Sequence, residues 1–496
     1  MGTKKLFLPL AFVLAVMIGS IGTLVTMELL TEDEPAAEQL TEEEIYEAAM
    51  EELDNQEEAD LGDLDEELEK IAQTYNILLD RYVDEPDRDK LIEGAVNGML
   101  ETLNDPYSVY MDADTAAEFT ESLDSSFEGI GAEVSLVNGV VTIVAPFRDS
   151  PAEDAGLRPN DQIVAIDGED IEGLSLYEAV LDIRGEKGTT VTLTIERPGV
   201  SDPLDIDVVR DEIPVETVHS ELLEEDGQRI GYLEVTSFSE NTAERFEEEL
   251  TALEDEGIDS LLIDVRGNPG GYLQSVEDIG NLLIPGGSPI LQFEGRDGER
   301  TRTISNLEEE KDYPIVTITD EGSASASEIL AAALKEAGGH EVVGETTFGK
   351  GTVQQTIPLG DGSELKLTML RWLTSDGNDV NEVGVEPTVE VSQPEYFYVS
   401  PINTDETLSL DMNNEYISNA QIMLEAVGYD PGRDDGYFDE GTEEAVEAFQ
   451  SAEDIEVTGT IGEDTADRLQ ELLIEQVRER ENDLQFERAI EVLTEN

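Results

Sequence analysis

The chain has 496 residues, with 28 Lys plus Arg against 118 Asp plus Glu, a net charge of −90 at pH 7 with histidine neutral. A surface so acidic repels phosphate backbones, which excludes nucleic acid as a partner class. The absence of cysteine excludes disulfides, thiolate metal sites and a cysteine nucleophile.

The length suits about three domains. Acid runs through every segment rather than one tail, which points to a proteome adapted to high salt, where counter-ions screen the self-repulsion. An ordinary acidic secreted protein is the alternative.

Lys4 and Lys5 precede residues 6–27, 22 positions without a charge. That length spans a bilayer, whereas the apolar core of a secretory signal is shorter. Lysines before the span and acid after it put the N-terminus in the cytoplasm. The expectation is a single-pass transmembrane anchor over residues 1–30, with the rest of the chain at the cell membrane and extracytoplasmic; cleavage would instead give a secreted protein. Residues 31–61 contain no Lys or Arg and read as an acidic, disordered stalk.

Residues 62–118 read as a helical arm or cap. Leu64, Leu68, Ile71, Tyr75, Leu78 and Leu79 keep helical spacing, Pro86 ends the pattern, and a second helix over 89–103 stops at Asn104-Asp105-Pro106.

Residues 119–211 change character. Short strands are predicted over 129–134 and 139–144, a small helix over 150–157, a strand and turn over 161–168, a helix over 176–183 and an alternating strand over 190–195. This order, β-rich with two helices, resembles a PDZ domain. The resemblance implies that a peptide adds as an extra strand, its terminal carboxylate held by backbone amides around Gly129, Ile130, Gly131 and Ala132. Arg184, at the end of the groove helix, is open between a ligand-sensing role and a plain surface one.

Residues 212–393 carry an α/β pattern. Strands over 230–235 and 261–265 flank a helix around 243–256, and a buried-type strand over 315–318 leads through a serine-rich turn into a helix over 327–337. Further strands run between glycine turns from 353 to 373. After a linker over 394–411, residues 412–475 open with a helical stretch over 417–427. Two similar stretches, Asp435 to Thr442 and Thr458 to Thr465, then each precede an amphipathic helix, over 443–450 and 466–473, with threonines suited to N-caps. This half-repeat resembles the peptidoglycan-binding-like helical domain, and wall binding is implied by analogy alone. A generic three-helix module is the alternative. A last helix over 477–494 lies in the tail, 476–496.

The chemistry gathers around Lys350, 25 positions after Ser325, in the uncharged run Phe348-Gly349-Lys350-Gly351-Thr352-Val353-Gln354-Gln355. An amine with little solvent and few anions around it loses its proton readily, and can then take the proton of a serine hydroxyl. Ser325 sits where a strand turns into a helix, so the Ala326 N–H lies at the positive helix end and can receive an oxyanion. The second donor is sought in Arg266-Gly267-Asn268-Pro269-Gly270-Gly271-Tyr272, with Gly271 the choice. A phosphate-binding loop would need Ser or Thr after the lysine and then a helix; Gly351 and an extended segment follow instead. A histidine triad would have to use His219 or His340, neither in a catalytic motif.

Asn104 to Ser108, the PDZ segment, Arg266 to Gly271, Gly322 to Glu328 and Phe348 to Gln355 occur in an order that resembles the carboxyl-terminal processing (tail-specific) serine proteases, over residues 64–391. The resemblance implies Ser325 as nucleophile, Lys350 as general base, Gln354 as the residue orienting the lysine, and Gly271 and Ala326 as oxyanion donors. It also implies an α/β, crotonase-like spiral protease core with the PDZ domain inserted beside the active site, and no metal or organic cofactor. Expected partners are protein substrates with exposed C-termini and the membrane, with peptidoglycan and a homodimer left open. The competing function is a non-catalytic envelope scaffold that binds protein C-termini and cell wall.

Overall fold

A computed structural model describes residues 64–495, apart from 124, 138, 148, 149, 172, 175, 198, 199, 201, 202 and 405. The expected membrane span and acidic stalk lie outside the described residues; among those described, no helix is long and apolar enough to cross a membrane. The described residues divide into two compact units, 64–118 with 354–368, and 119–353 with 369–495.

In the first unit the two expected helices run Leu64–Arg81 and Arg88–Glu101. Asp87 caps the second, its carboxylate accepting the Asp89 and Lys90 N–H groups at 3.0 and 3.3 Å, which removes two of the orphan donors of the first turn. The Asn104-Asp105-Pro106 stop is built as expected. Asn104 turns left-handed at φ 53°, and the Asp105 carboxylate takes the Ser108 hydroxyl at 2.6 Å and the Tyr107 N–H at 3.1 Å. A short strand, Val109–Met111, pairs antiparallel with residues 364–366.

The second unit opens with the β-rich domain. Its sheet follows the order Ala132–Val137, Val140–Pro146, Gln162–Ile166, Thr190–Glu196, Leu204–Val209. Alternation along Thr190–Glu196 sends Val191, Leu193 and Ile195 into a core with Ile143, Ile163 and Val208, the period-two pattern of a half-buried strand. The chain arrives through Ser126–Gly129 and leaves through Asp211–Pro214, and these two strands pair antiparallel as a separate ribbon. Arg210, just before the outgoing strand, donates from Nε to the Ile183 carbonyl at 2.8 Å and from Nη2 to the Asp182 carbonyl at 3.0 Å. A cation thus satisfies the last carbonyls of the helix Leu176–Ile183.

The α/β part is a six-stranded sheet in the order Val218–Glu225, Gln228–Val235, Ser260–Asp264, Ile315–Thr319, Glu341–Gly344, Val389–Glu390. The first pair is antiparallel and the rest are parallel. Every residue of Ser260–Asp264 and Ile315–Thr319 is buried, as parallel strands covered on both faces must be. One face packs on the helices Thr242–Glu256, Leu273–Leu283 and Ala326–Glu336 through residues such as Leu261, Ile263, Phe246, Ile279 and Leu330. The other face, with Ile230, Leu262, Val316, Ile318 and Val343, is covered by Phe486, Ala489, Val492 and Leu493 of a C-terminal helix, Leu484–Thr494.

Between the last strand and that helix lies a small helical module, Glu415–Ala426, Glu440–Ala452 and Glu463–Arg478. Its half-repeat is structural: buried Gln421 donates to the Tyr437 carbonyl and the Thr442 hydroxyl, and buried Gln450 donates to the Thr460 carbonyl and the Thr465 hydroxyl, all at 2.8–2.9 Å. The threonines are therefore not N-caps. Asp439 and Gly462 hold those positions, and Thr442 and Thr465 lie inside the first turn, where their hydroxyls meet the glutamines. The tail also differs from a helix over 477–494. The third helix ends at Arg478, and the chain turns through Arg480–Asn482 before Asp483 caps the last helix by accepting the Phe486 N–H at 2.9 Å. Returning to the sheet requires that turn.

Candidate active site

Ser325 lies between the strand Ile315–Thr319 and the helix Ala326–Glu336 as the N-cap residue, at φ 55° and ψ −110°. A non-glycine residue in that region stores on the order of 1–3 kcal/mol of strain, and neighbouring contacts hold it there. Ser323, fully buried, donates to the Val265 carbonyl at 2.8 Å. The Ala324 N–H reaches the Asn268 carbonyl at 3.0 Å, and the Ser327 hydroxyl reaches the same oxygen at 2.9 Å.

Glu328 is fully buried, and its carboxylate accepts four hydrogen bonds. Oε2 takes the Ser325 N–H at 2.7 Å and the Lys350 N–H at 2.9 Å; Oε1 takes the Thr347 hydroxyl at 2.6 Å and the Gly349 N–H at 2.8 Å. The four acceptor sites of a carboxylate are thereby filled. The bond to Ser325 is the reach-back half of a capping box, and Ser325-Ala326-Ser327-Glu328 carries its Ser-x-x-Glu spacing. The sequence reading assigned Glu328 no role; that spacing was the available signal.

The Lys350 loop is fixed at both ends of the lysine. While its N–H is held by Glu328, its carbonyl accepts Nε1–H of Trp372 at 2.7 Å. Trp372, the one tryptophan of the sequence, is buried in the main core. The Gly351 carbonyl accepts the Trp372 N–H at 3.0 Å, and the Gly349 carbonyl accepts the Glu382 N–H at 2.8 Å. After the lysine the chain runs into the strand Thr352–Pro358, so a phosphate-binding loop is excluded.

The glycine-rich loop meets the serine turn directly. An ideal Cβ on Gly270 would lie 2.8 Å from Ser325 Cβ and 3.0 Å from Ala326 N. Gly271, at φ 147°, forms a parallel bridge with Phe238. The Phe238 N–H goes to the Gly270 carbonyl and the Tyr272 N–H to the Phe238 carbonyl, so this bridge leaves the Gly271 amide unused. Buried Asn268 braces the loop, donating to the Val235 carbonyl at 2.7 Å and accepting the Gly270 N–H at 2.8 Å. Ala326 opens its helix, where first-turn amides have no intrahelical acceptor.

The structure thus brings Ser325, Ala326, Gly271 and the Lys350 backbone together in one unit. Gln354 falls in the other unit, where its Nε2 donates to the Thr368 hydroxyl at 3.2 Å. His219 pairs with Glu234 in the first ladder. His340 follows the far end of the Ser325 helix, about 16 Å along at 1.5 Å per residue, and burial lowers its pKa. In the β-rich domain, the Ile130 and Gly131 carbonyls accept the Ala152 and Phe147 N–H groups. Arg184 stacks over the Phe127 ring at 4.9 Å, and its Cγ would stand 3.7 Å from a Cβ on Gly129. Gly129 and Arg184 are therefore neighbours.

Comparison with known proteins gives four family matches along the chain. Residues 229–391 match peptidase family S41 and residues 122–196 the PDZ domain. Residues 413–469 match a peptidoglycan binding domain, and residues 16–115 the N-terminal domain of the activating protease CtpB. The carboxy-terminal processing protease CtpB of Bacillus subtilis is 50% identical over 432 residues, 87% of this chain and 90% of that protein. CtpA of the same organism is 40% identical over 430 residues, 86% of this chain and 91% of that protein. Among solved structures, a photosystem II D1 C-terminal processing protease is 26% identical with a TM-score of 0.41, covering 65% of this chain and 92% of that one.

Proposed function

The chain belongs to peptidase family S41, among the carboxy-terminal processing serine proteases, and on that premise we propose that it cleaves protein substrates near their C-termini with a Ser325–Lys350 dyad. The observation that carries this reading is the single Glu328 oxygen that accepts both the Ser325 and the Lys350 N–H. It fixes the spacing of the two loops before any substrate arrives.

In this mechanism the neutral Lys350 amine takes the Ser325 proton as Oγ attacks the scissile carbonyl. The oxyanion forms against the Gly271 and Ala326 amides. The lysine then gives the proton to the departing amine, and water, activated by the same amine, releases the acyl group from Ser325. Ser325→Ala and Lys350→Ala should each lower cleavage of a tailed substrate by ~10³-fold or more with melting temperature retained; full activity in either refutes the dyad.

Selection of tails is assigned to the PDZ domain, with the substrate carboxylate at Gly129 to Ala132 and Arg184 beside it. Binding there shifts the domain and admits the chain to Ser325. Deleting residues 127–197 tests this, since unchanged rate and specificity would remove the domain from the mechanism. The uncharged span over residues 6–27 supports a membrane-anchored protease acting outside the cytoplasm, which fractionation of cells checks. The helical module supports attachment to peptidoglycan, which pull-down on purified wall checks. The charge of −90 supports function at high salt, and a melting temperature that fails to rise with added salt would count against it.

A further inference from the structure

The last helix does more than cover a sheet face. Its cap residue, Asp483, meets Arg266 at the start of the glycine-rich loop. Four of the five N–H donors of that guanidinium make hydrogen bonds, and its second Nη2 contact is an ion pair. Nε and Nη2 reach the Asp264 carboxylate at 3.0 and 2.7 Å; Nη2 also reaches Asp483 Oδ2 at 2.8 Å; Nη1 reaches Asp483 Oδ1 at 2.9 Å and Gln485 Oε1 at 3.2 Å. Asp264 ends the strand that feeds the loop, and only the Gly267-to-Gly270 turn separates Arg266 from Gly271.

The same junction gathers the roots of the helical module. Gln393, just after the last sheet strand, donates to Asp483 at 2.5 Å and accepts the Leu484 N–H at 3.1 Å. Gln485, almost fully buried, donates to the Val391 carbonyl at 3.0 Å and to Glu345 at 3.3 Å, and Tyr398 donates to Glu345 at 2.6 Å. Glu345 begins the loop that carries Lys350. Both ends of the module, and both loops of the site, are therefore pinned where Asp483 stands.

We propose that Asp483 is a positioning residue for catalysis: through Arg266 it fixes the turn that presents the Gly271 amide to the oxyanion. This rests on the reading of Gly271 as oxyanion donor and Ser325 as nucleophile. The path is short. Arg266 is one peptide from Gly267, whose N–H donates to Asp320 Oδ1 at 2.9 Å, and that oxygen also accepts the Gly322 N–H at 3.0 Å and the Ser323 hydroxyl at 3.1 Å. Loss of the Asp483 charge removes the ion pair at Oδ2 and leaves an amide NH2 facing Arg266 Nη2, and any turn of Arg266 moves a loop whose Gly270 packs close against Ser325. The helical module is thus tied to the site, since the turn by which the chain leaves it ends on the brace.

The test uses the full chain with Asp483→Asn, Asp483→Glu and Val492→Ala. Val492 packs the same helix on the sheet, so its variant loosens the helix without removing the charge. For each, kcat and KM are measured on a tailed peptide, together with the inhibition constant of the matching peptide aldehyde, whose serine adduct carries an oxyanion. Asp483→Asn should lower kcat and weaken the aldehyde in parallel by ~10-fold or more, with KM nearly unchanged. Asp483→Glu, which keeps the charge but lengthens the reach, should show the same split at smaller size, and it serves if the asparagine variant does not fold. Val492→Ala should lower the melting temperature with kcat and aldehyde inhibition retained. Wild-type kcat and aldehyde inhibition in the folded Asp483 variants, or an equal fall in Val492→Ala, overturns the proposal while leaving the dyad standing. An active Ser325→Ala protein, run alongside, would instead remove the reading on which it rests.

Discussion

The backbone N–H groups of Ser325 and Lys350 converge on one oxygen of Glu328, at 2.7 and 2.9 Å. Two loops separated by 25 positions are thus registered by a side chain that faces neither solvent nor substrate. The first prediction concerns that carboxylate. Glu328→Gln keeps the shape but replaces one acceptor oxygen by a donor, so two of the four N–H and O–H groups now aimed at it lose their partner. At about 1–3 kcal/mol for each buried group left unpaired, the variant should melt well below the wild type and cleave a tailed peptide at least ~10-fold more slowly. Wild-type turnover in a circular-dichroism-matched sample would show that the registration is dispensable.

Trp372 offers a milder test. Trp372→Phe retains an aromatic ring in the core but removes the Nε1–H that the Lys350 carbonyl accepts. The expected stability loss is about 1–3 kcal/mol, read by chemical denaturation. Turnover should fall with it, because the lysine backbone loses one of its two restraints. An unchanged denaturation midpoint and rate would mean that the carbonyl finds another donor.

Gly271 tolerates no side chain. A Cβ there would stand 2.0 Å from the Phe238 carbonyl oxygen, at a φ of 147° that L-residues rarely adopt. Gly271→Ala must displace the loop, and removing one oxyanion donor typically costs ~10²-fold or more in kcat. Steady-state kinetics showing a change confined to KM would place the oxyanion elsewhere.

Acid should uncouple the C-terminal brace. Burial pushes the Asp483 carboxyl up, but the Arg266 guanidinium and the bonds from Phe486 and Gln393 more than offset this and hold it below the ordinary carboxylate value. A depressed native pKa contributes stability above the unfolded value, and that contribution is lost as pH falls through the native one. The melting temperatures of wild type and Asp483→Asn should therefore differ at neutral pH and approach one another as pH drops below the usual aspartate range. A gap that widens on acidification would reverse the assigned sign.

Much of this arrangement was legible in the residues. The serine turn, the lysine run and the Arg266-to-Tyr272 loop are local motifs, and each is built where its glycines and small residues indicated. Period-two and period-3.6 patterns marked the Thr190–Glu196 strand and the Thr242–Glu256 helix because each buries one face. What escaped has a common cause. Asn268, Trp372 and Asp483 act through partners up to 217 positions away, and spacing along one segment carries no trace of such pairings. The helix Leu273–Leu283 and the hairpin Pro289–Glu294 with Arg300–Ile304 were likewise unassigned, their burial being set by the sheet and helices they meet. The threonines misread as caps make the same point in miniature. Thr442 and Thr465 look like helix starts until Gln421 and Gln450, on preceding helices, occupy their hydroxyls.

The ribbon of Ser126–Gly129 with Asp211–Pro214 gives the PDZ domain a stem whose two legs stand side by side. Excising everything above the stem leaves two ends already adjacent, ready to be rejoined by a tight turn or crowned with a foreign recognition module. The inserted domain is, in that sense, detachable: a different module could be seated on the same ribbon without redrawing the α/β sheet.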